Sequence, residues 1–187
     1  MKNITITLLF AILIIGCKQK TEKPLEEVSQ EATEILFQVK ATDKDDVDYY
    51  EEGIIPWFSI AYTEPELNNL IDKDKIVLTE TKAILIIDYP LKNPVEIEIT
   101  ASDSKGFSRK DLALQISLSY KMIYKIEEES AEIKTIPIEE RKTLRNRNET
   151  NGTYGIWGHD IGDLVMPAAV IRKNDKGEVI IDLIIES

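Results

Sequence analysis

Ala83-Ile-Leu-Ile-Ile-Asp-Tyr89, Val95-Glu-Ile-Glu-Ile-Thr-Ala101 and then Ser108-Arg-Lys-Asp-Leu-Ala-Leu-Gln-Ile-Ser-Leu-Ser-Tyr-Lys-Met-Ile-Tyr-Lys-Ile-Glu-Glu-Glu129 carry the change of period that decides the fold. The first segment is continuously apolar, which predicts a strand covered on both faces. In the second, Val95, Ile97, Ile99 and Ala101 alternate with Glu96, Glu98 and Thr100, so it reads as a strand buried on one side. The third has helical spacing from Arg109 to about Glu129, with Ser108 and Asp111 as its cap. Its apolar residues form a broad stripe (Leu112, Ala113, Ile116, Tyr120, Ile123, Tyr124), expected against the sheet, and a narrower one (Leu114, Leu118, Met122) on the opposite side. The narrow stripe needs a second cover; the following segment is the first expectation, and a neighbouring subunit or a ligand are the others.

Outward from this centre, Ile35 to Ala41 and Gly53 to Tyr62 read as strands, with Pro56 at the start or edge of the second. Thr63 and Glu66 have capping-box spacing and open a short helix to about Ile71, and Lys75 to Thr79 is a short strand. Leu164 to Arg172 and Glu178 to Ile185 form a terminal hairpin, with Asn174, Asp175, Lys176 and Gly177 in its turn. Ser130 to Tyr154 has few regular signals and is expected to be mobile, partly structured or functional. The fold class is therefore α+β, an antiparallel sheet packed against one long helix and closed by a C-terminal β-hairpin.

At the other end of the chain, an apolar run from Ile4 follows Lys2 and closes on Ile14-Ile15-Gly16-Cys17. A charged start, an apolar core too short to remain as a bilayer-spanning helix and a small residue before a cleavage point make up a secretory signal peptide. The four residues resemble the lipobox of bacterial lipoproteins. That resemblance implies export, cleavage before Cys17 and acylation of Cys17, which then anchors the protein to a membrane of the cell envelope. Lys18 is not the aspartate associated with retention at the inner membrane, so the resemblance favours the outer membrane. The expected organisation is a signal peptide over residues 1–16, a polar tether over 17–32 and a single domain over 33–187.

Composition limits the chemistry. Removal of residues 1–16 takes away one charge, Lys2, and moves the formal balance of the 187-residue chain from −11 to −12. Such an acidic surface repels phosphate backbones, so no nucleic acid partner is expected. Cys17 is the only cysteine and His159 the only histidine. With Cys17 acylated, no disulfide, cysteine nucleophile or thiolate metal site is available to the folded part, and no site with two imidazoles can form from one chain. No metal and no cofactor are expected. Asp43, Asp45, Asp46, Asp48, Glu51 and Glu52 lack the spacing of a calcium loop and read as a solvated acidic turn. Arg141, Lys142, Arg145 and Arg147 stand beside Glu139 and Glu140 and read as surface ion pairs.

The remaining candidate is Gly152-Thr-Tyr-Gly-Ile-Trp-Gly-His-Asp-Ile-Gly-Asp163. Its Tyr-Gly-Ile-Trp-Gly-His-Asp core resembles a motif near the end of uncharacterised bacterial domains, which brings no activity with it. Tyr154, Trp157 and His159 are candidate ligand-binding residues, since aromatic faces and an imidazole on a glycine-rich loop suit a small polar ligand. His159 with Asp160 or Asp163 forms a candidate catalytic set, because an imidazole oriented by a carboxylate is the minimum of a general base. The competing structural reading has the glycines in tight turns, Trp157 filling the core, and His159 with Asp160 fixing a turn. Three functions follow. The first is a non-catalytic module that binds a ligand or envelope protein through residues 131–163, the second an envelope hydrolase or lyase built on His159, and the third a structural subunit of an envelope assembly that uses the narrow helix stripe.

Overall fold

The computed structural model describes residues 32–142 and 146–187. Ile14, Ile15, Gly16 and Cys17, almost all of the tether, and Arg145 lie outside the described residues. Five strands form the body of one sheet: β1 (Thr33–Leu36), β6 (Lys82–Ile87), β7 (Val95–Thr100), β9 (Val165–Lys173) and β10 (Val179–Glu186). Their order is β1-β9-β10-β6-β7, and a two-residue strand, β4 (Phe58–Ser59), also pairs with β9. Two small ladders stand outside it. In one, β2 (Val39–Lys40) pairs with β3 (Ile54–Ile55); in the other, β5 (Ile76–Leu78) pairs with β8 (Phe107–Ser108). The helices are α1 (Lys44–Tyr49), α2 (Thr63–Asn69) and α3 (Arg109–Ser130). The protein is thus α+β, with one long helix and a C-terminal hairpin.

The expected α3 is present, and Ser108 Oγ accepts the Asp111 N–H at 3.1 Å. Asp111 turns its carboxylate away, to the N–H and hydroxyl of Ser102 at 3.0 and 2.6 Å. Leu112, Ala113, Ile116, Tyr120 and Ile123 are fully buried in the same core as Ile35, Leu85, Ile87, Ala169 and Ile181 from the sheet. Each large side chain buried this way contributes about 2 kcal/mol of hydrophobic stabilisation before entropy is counted. The narrow stripe behaves differently. Leu114 is half-buried, but Leu118 and Met122 remain 53% and 46% exposed, so the segment after the helix does not cover them.

One strand pair departs from the antiparallel expectation, since β10 lies parallel to β6 with Ile181 opposite Leu85. Both strands have unbroken apolar runs, Ala83–Ile87 and Val179–Ile181, and the arrangement places both away from the sheet edges. The expectation that β6 is covered on both faces is also corrected. Ala83, Leu85 and Ile87 are buried in the core, whereas Ile84 and Ile86 are half-buried on the opposite face. Their flanks are screened by cross-strand neighbours, Ile180 and Glu98 beside Ile84 and Asp182 and Glu96 beside Ile86.

Several shorter elements differ for local reasons. The strand expected over Ile35 to Ala41 divides because buried Phe37 donates its N–H to Pro167 O at 2.8 Å and the chain then leaves the sheet. The strand expected over Gly53 to Tyr62 divides around Pro56, which has no N–H to give a ladder. The acidic turn is a helix, α1, whose N-cap Asp43 accepts the Asp45 N–H at 2.9 Å. Short acidic residues at a helix start satisfy the free N–H groups there. The Thr63 side chain, one half of the expected capping box, lies outside the described residues; the Glu66 carboxylate accepts the Ser59 N–H at 2.6 Å and ties α2 to β4. Residues 131–142 and 146–154 form no strand and are held in part by side chains. Asn151 and Asn148 accept the N–H groups of Ile133 and Ile136, each at 2.7 Å.

Candidate functional site

The glycine-rich stretch is organised by a residue that the sequence did not single out. Glu127, in the last turn of α3, is fully buried and accepts four hydrogen bonds from the loop. These come from Thr150 Oγ1 at 2.7 Å and from the N–H groups of Gly152 at 2.7 Å, Tyr154 at 2.8 Å and Gly155 at 3.1 Å. Desolvation pushes the carboxyl up, but the Thr150 hydroxyl and the three N–H groups outweigh it, so its pKa lies below the usual range. A carboxylate so held acts as an internal anion around which the loop is wound. Gly152 has no room for a side chain beside Glu127, and Gly155 adopts φ +64°, which favours glycine.

Beyond this anchor the chain is pinned on both sides. Thr150 N donates to Ile156 O at 2.9 Å and Arg147 N to Gly158 O at 3.1 Å, while Trp157 N donates to Pro90 O at 3.2 Å. The result presents Trp157 and His159 beside Tyr89, which follows β6. Ring centroids are 5.3 Å apart for Tyr89–Trp157, 5.6 Å for Tyr89–His159 and 5.9 Å for Trp157–His159. The expectation that Trp157 fills the core is corrected, since it is 36% exposed and its ring packs edge-on against Tyr89. Ser187, just after β10, bridges the group, with its Oγ 2.9 Å from Tyr89 OH and 3.4 Å from His159 Nε2. Tyr89 and Ser187 therefore stand just beyond the carboxyl ends of the parallel pair β6 and β10.

The structure separates the candidate catalytic residues. Asp160 is gripped by Arg141, whose NH1 and NH2 donate to its two oxygens at 2.6 and 3.0 Å, and Arg147 NH1 lies 3.8 Å away. The side chains of both arginines are only 6% exposed, so the expected surface pairing of Arg141 and Arg147 with Glu139 and Glu140 is corrected to a largely buried cluster on Asp160. Asp163 accepts the Asp160 N–H at 2.9 Å and fixes the 3₁₀ turn Ile161–Asp163. Among the described residues, no carboxylate is within ion-pair distance of His159; its ring has the Ser187 hydroxyl instead. The His159 carbonyl accepts the Tyr124 hydroxyl at 2.9 Å, and burial pushes that hydroxyl's pKa up, keeping it a donor. Arg147 also stacks its guanidinium 5.4 Å from the Tyr124 ring centre.

Tyr154 does not join Trp157 and His159. It is half-buried against the core, and its carbonyl accepts the N–H groups of Lys92 and Asn93 at 3.1 and 3.0 Å. Two of the three candidate ligand-binding residues are thus brought together, and the sequence missed Tyr89 and Ser187. Their signal was present in the ends of two apolar strands, but only a parallel pairing of those strands places the two ends side by side.

No protein-family model matches the chain, and no curated protein or solved structure is similar to it.

Proposed function

We propose that the chain is an exported lipoprotein of the cell envelope, anchored through acylated Cys17, with the outer membrane as its membrane, and that its folded part is a non-catalytic binding module. The anchor reading rests on the lipobox Ile14-Ile15-Gly16-Cys17 and its charged, apolar leader. Among the described residues no helix is long and apolar enough to cross a membrane.

The binding reading rests on one observation, the solvent-facing Trp157 held beside Tyr89 and His159 by a loop whose backbone is fixed on Glu127 and Pro90. A large exposed indole on a rigid support loses little entropy when it is covered, which is the property of a binding anchor. The engagement of Asp160 and Asp163 elsewhere favours recognition over acid–base catalysis at His159. The ligand class is a small polar molecule or an envelope protein.

Two measurements test this. Metabolic labelling with an alkyne fatty acid is expected to tag the wild type and not Cys17→Ser; equal labelling overturns the anchor. A photoreactive phenylalanine analogue at position 157 is expected to give discrete crosslinks in intact cells that are absent when it is placed at Glu132. Identical patterns from the two positions overturn the site.

A second reading, a subunit of an envelope assembly, is favoured by the exposure of Leu118 and Met122 on α3. It predicts crosslinks from position 118 and none above background from 157.

A further inference from the structure

A cleft of about 810 Å³ opens between β5 and the tip of the β9–β10 hairpin. This volume is within the range of about 300–1,000 Å³ usual for small-molecule sites. It lies at the far end of the sheet from Trp157 and His159, because β10 runs from Val179 at the cleft to Glu186 beside Ser187, about 23 Å of strand.

Ile76, Val77, Leu78, Ile171 and Val179 make the apolar lining. Among the described residues, no aromatic side chain contributes to it. A flat ring would find no stacking partner there, whereas a flexible aliphatic chain gains about 0.8 kcal/mol for each methylene it buries, whatever its detailed pose. Ile76, 37% exposed, supplies uncovered aliphatic surface, while Leu78 and Val179, 7% and 5% exposed, form the floor where the cleft meets the core.

At the rim, Lys173 Nζ and Glu80 Oε1 pair at 2.9 Å with side chains 58% and 37% exposed. Pairs this exposed are worth about 0–1 kcal/mol, so exchange of one carboxylate for another on Lys173 costs little. The displaced Glu80 is already partly in water. Lys173 thus supplies a cation at the mouth of an aliphatic cavity, which is complementary to a molecule with an aliphatic tail and one acidic head.

We propose that this cleft binds a long-chain fatty acid, with its hydrocarbon tail along Ile76, Leu78, Ile171 and Val179 and its carboxylate on Lys173. The site is separate from the aromatic cluster and does not depend on the function assigned to that cluster.

The test uses the full chain with Cys17→Ser, so that no acyl group of its own can compete, titrated with dodecanoate and with dodecanol below their aggregation limits. Saturable binding of one dodecanoate per chain is expected. Lys173→Met should weaken dodecanoate about three- to fivefold and leave dodecanol unchanged. Ile76→Trp should abolish binding of both, and Trp157→Ala should change neither. Thr79→Trp, at the exposed rim, gives the same blocking readout should Ile76→Trp disturb folding by circular dichroism. Absence of saturable binding, binding that survives the blocking variants, or indifference of dodecanoate to Lys173→Met each overturns the proposal.

Discussion

Glu127 and Gly152 are fitted to one another: the Gly152 N–H donates to the Glu127 carboxylate at 2.7 Å, and a methyl group on Gly152 would stand 2.7 Å from that same carboxylate. One residue ends a helix and the other begins the loop that carries Trp157 and His159. The first prediction concerns this fit. Glu127→Ala leaves three buried or half-buried N–H groups without their acceptor and the Thr150 hydroxyl with only Ile156 O, at 3.2 Å, and is expected to cost about 3 kcal/mol. Gly152→Ala should also destabilise, because the contact is with a carboxylate and with the Glu127 backbone carbonyl, neither of which is free to withdraw. Urea unfolding checks both; a midpoint for Glu127→Ala equal to that of the wild type would sink the argument.

The same carboxylate makes stability depend on pH. Its pKa is lowered in the folded state from an ordinary value of 4.5, so the folded state holds fewer protons than the unfolded chain in the acid range. The contribution is complete above about pH 4.5 and is lost as pH falls through the folded pKa. Glu127→Gln cannot titrate, so the stability gap between it and the wild type should be constant near neutrality and shrink below pH 4.5. A gap that widens on acidification contradicts the assignment.

Glu66 has the opposite sign. Desolvation raises its pKa above 4.5 despite the hydrogen bond from Ser59, so the ionised form costs stability, and that cost appears as pH rises through the folded pKa. Glu66→Gln retains a carbonyl oxygen for the Ser59 N–H and removes the ionisation. It is expected to match or exceed the wild type at pH 7, by up to about 1 kcal/mol, and to lose that advantage below pH 4.5. A loss of stability at pH 7 would show that the charge itself is needed.

These two acidic residues show what the sequence could and could not convey. Ser108, the broad stripe of α3 and the turn at Asn174 to Gly177 act through neighbours within a few positions, so their roles were legible. The α+β class followed from such local periods. Glu127 acts on residues 23 to 28 positions away, and no local pattern distinguishes it from Glu128 or Glu129. Glu66 had the spacing of a capping box, and its tertiary contact with the Ser59 N–H left no mark in that spacing. At the candidate site, Trp157 and His159 were readable as unusual residues, but their pairing with Tyr89 and Ser187 depends on strand order. The parallel β6–β10 contact is non-local and leaves no periodic trace.

Asp160 is expected to be structural first. Its carboxylate pairs with two arginine side chains that are each 6% exposed, and removing one member of such a cluster leaves buried charge uncompensated. Because Asp160 itself is 32% exposed, the expected cost of Asp160→Asn is about 2 kcal/mol, below the full figure for a buried pair. Lys125→Ala, which breaks a pair whose side chains are 75% and 65% exposed, should leave the unfolding midpoint unmoved. Equal effects of the two variants in chemical unfolding would remove the distinction.

The two apolar stripes of α3 supply the last prediction, because similar side chains on one helix have different surroundings. Leu112 and Ile116 are fully buried in the core that joins helix to sheet, so Leu112→Ala should cost about 2–5 kcal/mol through lost burial and the cavity left behind. Leu118 and Met122 are about half exposed, and nothing in their exposure requires an apolar side chain for folding. The double variant Leu118→Glu, Met122→Glu is expected to shift stability by no more than about 0.5 kcal/mol per site. It should also remain monodisperse by light scattering. If instead the double variant unfolds, the narrow stripe is covered in solution by something the folded chain supplies. If it folds but the wild type self-associates and the variant does not, α3 is an interface, and the assembly reading gains over the ligand-binding one. Retained folding with no change in association leaves Trp157 as the exposed apolar group with the stronger claim to a partner.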